Sequence, residues 1–165
     1  MDVRNVLITT HPIPPFYDKN SRVLILGSFP SVKSREQLFF YAHPQNRFWK
    51  VLAAVFNCPA PESVDEKKLF LLKHRIALWD AVASCTVVGS ADSSIKNARP
   101  NDISSILKNA DIERIFANGK AAEKYYNRLI LPFTGRTVQC LPSTSPANAA
   151  YSAKQLLQAW QIVKC

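Results

Sequence analysis

The sequence predicts an α/β fold: a three-layer α/β/α sandwich around a central, four-stranded, mainly parallel sheet. Three observations carry this expectation. Short apolar runs suited to strands covered on both faces alternate with stretches whose apolar residues fall at helical spacing. No repeat, charge block or low-complexity linker interrupts the alternation, so the 165 residues read as one domain. Polar residues gather just past the predicted strand ends, where open α/β sheets take their ligands.

The elements follow in order. HPIPP, His11 to Pro15, is an extended arm, because each proline disfavours helix in the residue before it. Val23 to Leu26 is a continuous apolar run closed by Gly27, the pattern of a buried parallel strand. After a loop, Phe48, Val51, Leu52 and Val55 recur with the period of a helix. A second helix lies around Glu66 to Lys73, and the run Ile76 to Trp79 makes a strand that ends at Asp80. Ser84 to Pro100, rich in Ser, Asp and Asn, reads as a long loop, which in a compact domain is usually functional. Asn101 is placed to cap a helix carrying Ile103, Ile106 and Leu107. Ile115 to Ala117 is a third strand, broken by Asn118-Gly119 before a helix with Ala122, Tyr125, Tyr126 and Leu129 on one face. Thr137 to Leu141 is the fourth strand, and Ala153, Leu156, Leu157, Trp160 and Val163 mark the last helix. Right-handed crossovers between such strands cover both faces of the sheet. Ser28 to Ser31, Asp80, Asn118 and Ser143 to Asn148 should then converge on one cleft.

Composition narrows the function classes. With 47% apolar and 20% charged side chains, the chain can bury one substantial core. Lys and Arg number 21 against 12 Asp and Glu, and the resulting charge of +9 biases the surface toward polyanions such as nucleic acid. The longest apolar runs, such as Val51 to Phe56, are too short for a bilayer, and the amino terminus has no secretory pattern, so no membrane partner is expected. Cys58, Cys85, Cys140 and Cys165 form no CxxC pair and have no His at ligand spacing, which argues against a zinc or iron-sulfur site. They read as reduced, mostly buried thiols of a cytoplasmic protein, and no cofactor or metal is implied.

Three segments carry chemistry, each with an ordinary structural alternative. GSFPS, Gly27 to Ser31, matches neither GxGxxG nor the phosphate-binding GxxxxGK[ST] pattern, and alone it marks a turn. Phe39 to Trp49, FFYAHPQNRFW, sets aromatic faces beside an amide, an imidazole and a guanidinium. A flipped base needs that combination, stacking on its face and hydrogen bonds at its edge. Equally, Phe48 and Trp49 fit a core and Asn46 fits a helix cap. LPSTSPAN, Leu141 to Asn148, makes a stiff loop suited either to a DNA groove, with backbone amides on phosphates, or to an ordinary turn.

In order along the chain, GSFPS, YAHPQNRFWKVL and LPSTSPANAAY ahead of a final amphipathic helix resemble the uracil-DNA glycosylase superfamily. AHPQNRFW is similar to a segment of its mismatch-specific branch, and the GSFPS and LPSTSPAN pair is most similar to the DNA-deoxyinosine (hypoxanthine-DNA) glycosylase branch. The resemblance spans nearly the whole chain. It implies a monofunctional DNA glycosylase of base excision repair, acting on single- or double-stranded DNA with a damaged base, expected to be a monomer. It also implies a base pocket from Gly27, Ser28, Phe29, Pro30, Tyr41 and His43, with Tyr41 stacking on the flipped base. Ser143, Thr144, Ser145, Pro146, Ala147 and Asn148 would engage DNA.

Two positions depart from the family pattern. Many members place Asp or Asn at the third position of the first motif to hold water, and here it is Phe29; several open the second motif with His, and here it is Leu141. Because Phe29 cannot hydrogen-bond a water, Asn46 becomes the catalytic candidate, its amide oxygen orienting the nucleophile. Hypoxanthine is the favoured base by resemblance, with uracil or mismatched thymine as the alternative within the class. A catalytically silent module that binds DNA lesions, or a small nucleotide hydrolase, would account for the same charge and fold class.

Overall fold

The computed structural model describes residues 8–86 and 95–164. In chain order the first half comprises β1 (Ile8–Thr10), β2 (Val23–Gly27), α1 (Val32–Gln37), α2 (Phe48–Val55), α3 (Val64–Lys73), β3 (Ile76–Asp80) and β4 (Val82–Thr86). The second half comprises β5 (Lys96–Pro100), α4 (Ser104–Asn109), β6 (Arg114–Asn118), α5 (Lys120–Tyr125), α6 (Leu131–Thr134), β7 (Gln139–Leu141) and α7 (Ala153–Trp160). A single π turn, Tyr126–Ile130, joins α5 to α6.

Every residue of β2 is buried, because it lies inside a four-stranded parallel sheet of order β3-β2-β6-β7. Its side chains alternate between two cores. Val23 and Ile25 join Phe48, Leu52, Phe70 and Trp160 on the face covered by α2, α3 and α7. Leu24 and Leu26 join Ile106, Ala122 and Tyr126 on the face covered by α4 and α5. The expected α/β/α sandwich with four parallel strands is therefore present. α7 starts at the expected place because Ser152 and Gln155 form a reciprocal capping box.

Three local expectations are corrected. Ser84 to Pro100 is not one long loop: β4 and β5 pair antiparallel, and β1 adds to β4 to make a second sheet of order β1-β4-β5, while residues 87–94 lie outside the described residues. β5 is exposed along nearly its whole length, so it lacks the apolar alternation that marks a strand. Asn101 does not cap α4. Its Nδ2 donates to the carbonyls of Asp80 (2.8 Å) and Val82 (3.3 Å), and the α4 start is satisfied by Asp102, whose Oδ1 accepts from Ser104 N. α1 was not anticipated; it is one short helix whose first turn is capped by Ser31.

Among the described cysteines Cys85 is buried, Cys58 and Cys140 are half-buried, and all three are free thiols. Burial pushes the Cys85 and Cys140 thiols up, which keeps them poor nucleophiles. No helix among the described residues is long and apolar enough to cross a membrane.

Candidate active site

The strand order reverses about β2, so the crevice beyond the carboxyl ends of β2 and β6 is the topological switch point of the sheet. A cavity of about 510 Å³ opens there. Its wall is built from the segment after β2 (Gly27 to Ser31), the Tyr41 to Asn46 turn, Asp80 at the end of β3, Asn118 at the end of β6, and the loop after β7. Of the residues expected at a site, Gly27, Ser28, Phe29, Pro30, Tyr41, His43, Asn46, Ser143, Thr144, Ser145, Pro146 and Ala147 all line it.

Asn46 sits one residue before the cap of α2, and its surroundings fix how it is turned. Its Oδ1 accepts from Phe48 N at 2.9 Å and from Thr144 Oγ1 at 2.8 Å. Because Phe48 offers a backbone N–H, the oxygen and not the NH2 must face it. Thr144 is fully buried and is itself held by Asn118, whose Nδ2 donates to Thr144 Oγ1 (3.0 Å) and whose Oδ1 accepts from Thr144 N (3.0 Å). Both lone pairs of the Asn46 oxygen are thus engaged within the protein, whereas the sequence led to an oxygen that orients water.

Tyr41 adopts a left-handed backbone conformation (φ 53°), uncommon for a non-glycine residue, and its ring stacks on Phe48 with centroids 3.9 Å apart. The turn around it is fastened by Ser34, whose Oγ accepts from Ala42 N at 3.0 Å. His43 Nδ1 accepts from Gln45 N (3.1 Å), which places the ring proton of the neutral form on Nε2. Phe29 packs edge-on against His11, with centroids 5.9 Å apart, and lies under the Arg35 guanidinium. The carbonyls of Gly27 and Ser28 accept from Ala81 N and Val82 N, so they serve the turn between β3 and β4.

The loop after β7 is preorganised from within and from α2. Ser145 N donates to Ser143 Oγ (3.1 Å), and Asn148 Nδ2 donates to Ser143 O (3.0 Å). Arg47 clasps the loop through Nη2 to Asn148 O (2.9 Å) and Nη1 to Tyr151 O (2.6 Å), while its N–H donates to Thr144 O. Pro146 and Ala147 are left exposed at the tip. Of the expected DNA-facing residues, Thr144 is buried against Asn46 and Asn118, and Asn148 braces the loop from within.

Asp80 and Asn118, expected at the cleft because each closes an apolar strand at its carboxyl end, both line it, while Ser34 and His11 are site residues that the sequence did not single out. Nothing local marks His11, which reaches Asp80 from the amino-terminal arm.

Glycine is required at two positions. A Cβ on Gly27 would stand 2.3 Å from Asp80 Oδ1 and 3.2 Å from the Tyr41 hydroxyl. Gly119 has φ 98°, and a Cβ there would meet Ser143 Cβ at 2.9 Å. Gly27→Ala should therefore displace the Asp80 carboxylate and lower single-turnover activity at this cavity by about tenfold to a hundredfold, the scale for misplacing a group in a site. A folded variant with the wild-type rate would show that Asp80 does not need this position.

Known proteins resemble this chain over nearly its whole length. Residues 14–164 match the model of the Uracil DNA glycosylase superfamily. A protein from Methanosarcina acetivorans named hypoxanthine DNA glycosylase is 35% identical over 152 residues, covering 91% of this chain and 94% of its own. One of the same name from Methanosarcina barkeri is 33% identical over 138 residues, covering 82% of this chain and 85% of its own. Among solved structures, the solution NMR structure of a candidate uracil DNA glycosylase from Methanosarcina acetivorans superposes with a TM-score of 0.77 at 28% identity, covering 95% of this chain and 99% of that one. A switch-point cavity assembled from the three motif segments and a family match running over nearly the whole chain lead to one conclusion: this chain belongs to the uracil-DNA glycosylase superfamily.

Proposed function

We propose that the chain is a monofunctional DNA glycosylase of base excision repair that extrudes a deaminated base, hypoxanthine in the first place, and hydrolyses its N-glycosidic bond. The observation that carries the reading is convergence: Asn46 and Thr144, 98 residues apart, are hydrogen-bonded in a cavity shared with the Gly27 to Ser31 segment, on a chain of net charge +9. Hypoxanthine is favoured because the two Methanosarcina relatives carry that base in their names.

The chemistry assigns roles to the residues. The C1′–N9 bond breaks with its electron pair leaving on the purine, water oxygen joins C1′, and the water's proton ends on the released base. The transition state places positive charge on the sugar and negative charge on the base. Asn46 Nδ2–H, aimed by Phe48 N and Thr144, is a preorganised donor for that negative charge or for the attacking water's oxygen. Tyr41 supports the base face, with Phe29, Pro30, Ser28 and His43 shaping the rest of the pocket. The loop tip at Pro146 and Ala147 enters the gap left by the base, while Ser143 and Ser145 approach the strand and buried Thr144 holds the loop to Asn46. In this reading the chain works as one domain and as a monomer, on damaged single or double strands.

The test is incubation with duplexes carrying one hypoxanthine, uracil, xanthine or mismatched thymine, followed by alkaline cleavage. Strand breaks at hypoxanthine are expected. Breaks confined to uracil or thymine would move the enzyme to another branch, and tight binding without breaks under single-turnover conditions would make it a lesion-binding module.

A further inference from the structure

His11 belongs to the extended arm, yet its side chain is 2% exposed, packed among Phe29, Phe40 and Trp79. Ile13 N–H donates to its Nδ1 at 3.1 Å, so the neutral ring carries its proton on Nε2, and that nitrogen lies 2.7 Å from Asp80 Oδ2. The backbone holds the ring in place as well, since His11 N donates to Ala83 O at 2.6 Å. The ring is therefore a fixed donor to the carboxylate. The other oxygen, Oδ1, lies against Gly27 in the cavity wall, in space that any side chain at that position would fill. Asp80 is thus located from two directions, by a donor on one oxygen and by a missing Cβ beside the other.

A carboxylate held in this way accepts hydrogen bonds and donates none. Deamination changes that same property of a base. Adenine N1 and cytosine N3 carry lone pairs, whereas hypoxanthine N1 and uracil N3 carry hydrogens. An acceptor in the pocket rewards the deaminated form with a charge-assisted hydrogen bond and opposes the parent base, lone pair against lone pair.

We propose that His11 is a positioning residue that fixes Asp80 as the acceptor for the ring N–H of the extruded base, and that this pair separates deaminated bases from their amino parents. The inference rests on the glycosylase reading above. Phenylalanine at position 11 keeps a ring in the aromatic packing and removes the donor. Glutamine gives up the ring and restores a donor near the position of Nε2.

The experiment compares His11→Phe and His11→Gln in the full chain. It measures single-turnover excision of hypoxanthine from a duplex, and affinity for the same duplex carrying a tetrahydrofuran abasic analogue, which offers Asp80 no base. His11→Phe should lose about tenfold to a hundredfold in excision, the scale for a hydrogen bond to a charged group. Its affinity for the abasic analogue should stay within about twofold. His11→Gln should recover to within about threefold of wild type, because its amide again donates to Oδ2. On an Asp80→Asn background, His11→Phe should add less than about threefold, as expected for residues acting through one another.

A purely structural role predicts the reverse order, with phenylalanine tolerated and glutamine harmful. That order, a wild-type rate for His11→Phe, or an equal loss of excision and abasic-duplex affinity would each overturn the proposal. If wild-type protein excises no deaminated base, the functional reading itself fails. If it does and His11→Phe is indistinguishable from it, only the role of His11 fails.

Discussion

Asn46→Ala is expected to lower single-turnover excision by about a hundredfold or more, the scale for losing a preorganised polar group in a site. The change removes both halves of the amide. Loss of the oxygen frees Phe48 N and Thr144 Oγ1, so the start of α2 and the loop after β7 lose a shared anchor. The fold should weaken by about 0.5–2 kcal/mol, the scale for losing a side-chain hydrogen bond to the first turn of a helix, which leaves the protein folded for assay. Loss of NH2 removes the donor for charge developing on the departing base.

Asn46→Asp separates the two contributions. An aspartate retains acceptors for Phe48 N and Thr144 Oγ1 but puts negative charge where the amide hydrogens stood. If Asn46 works as a donor, Asn46→Asp should be at least as inactive as Asn46→Ala. Activity near wild type in Asn46→Asp would restore the role expected from sequence, an oxygen that orients water. Wild-type excision by a folded Asn46→Ala would remove the residue from the mechanism altogether.

Trp160→Ala carries the largest expected loss of stability, about 3–5 kcal/mol, from the range for truncating a buried aromatic. Trp160 is fully buried, its ring meets Phe48 edge-on with centroids 5.8 Å apart, and its Nε1 donates to Pro142 O at 3.0 Å. Truncation leaves a cavity beneath α2 and strips the donor from a carbonyl one residue before the Ser143 to Asn148 loop. A domain of this kind is stable by about 5–15 kcal/mol, so the loss is a large share of the total. It is read from the denaturant midpoint at unchanged slope. Trp160→Phe should lose less, since it keeps most of the buried area and forfeits only the hydrogen bond and part of the ring. Equal losses in the two variants would show that the Pro142 bond, not the packing, dominates.

The sequence alone determined the sandwich and the segments that line the cavity, because both are written locally. A strand buried on both faces must be a continuous apolar run, as in Val23 to Leu26, and a helix covering a sheet must repeat its apolar residues, as in Ala153 to Trp160. Motif residues such as Asn46 and Thr144 stand out by their company in the chain. β5, exposed along nearly its whole length, has no such signature, and its residues became a strand only because β4 offered a partner edge. Tertiary structure also decided which atoms of the motif residues are engaged within the protein. The Asn46 oxygen is consumed by Thr144, 98 residues away, and Asp80 is held by His11, 69 residues away. Hydrogen-bond donors and acceptors are satisfied by whatever the fold brings within about 3 Å, and sequence spacing does not encode that distance.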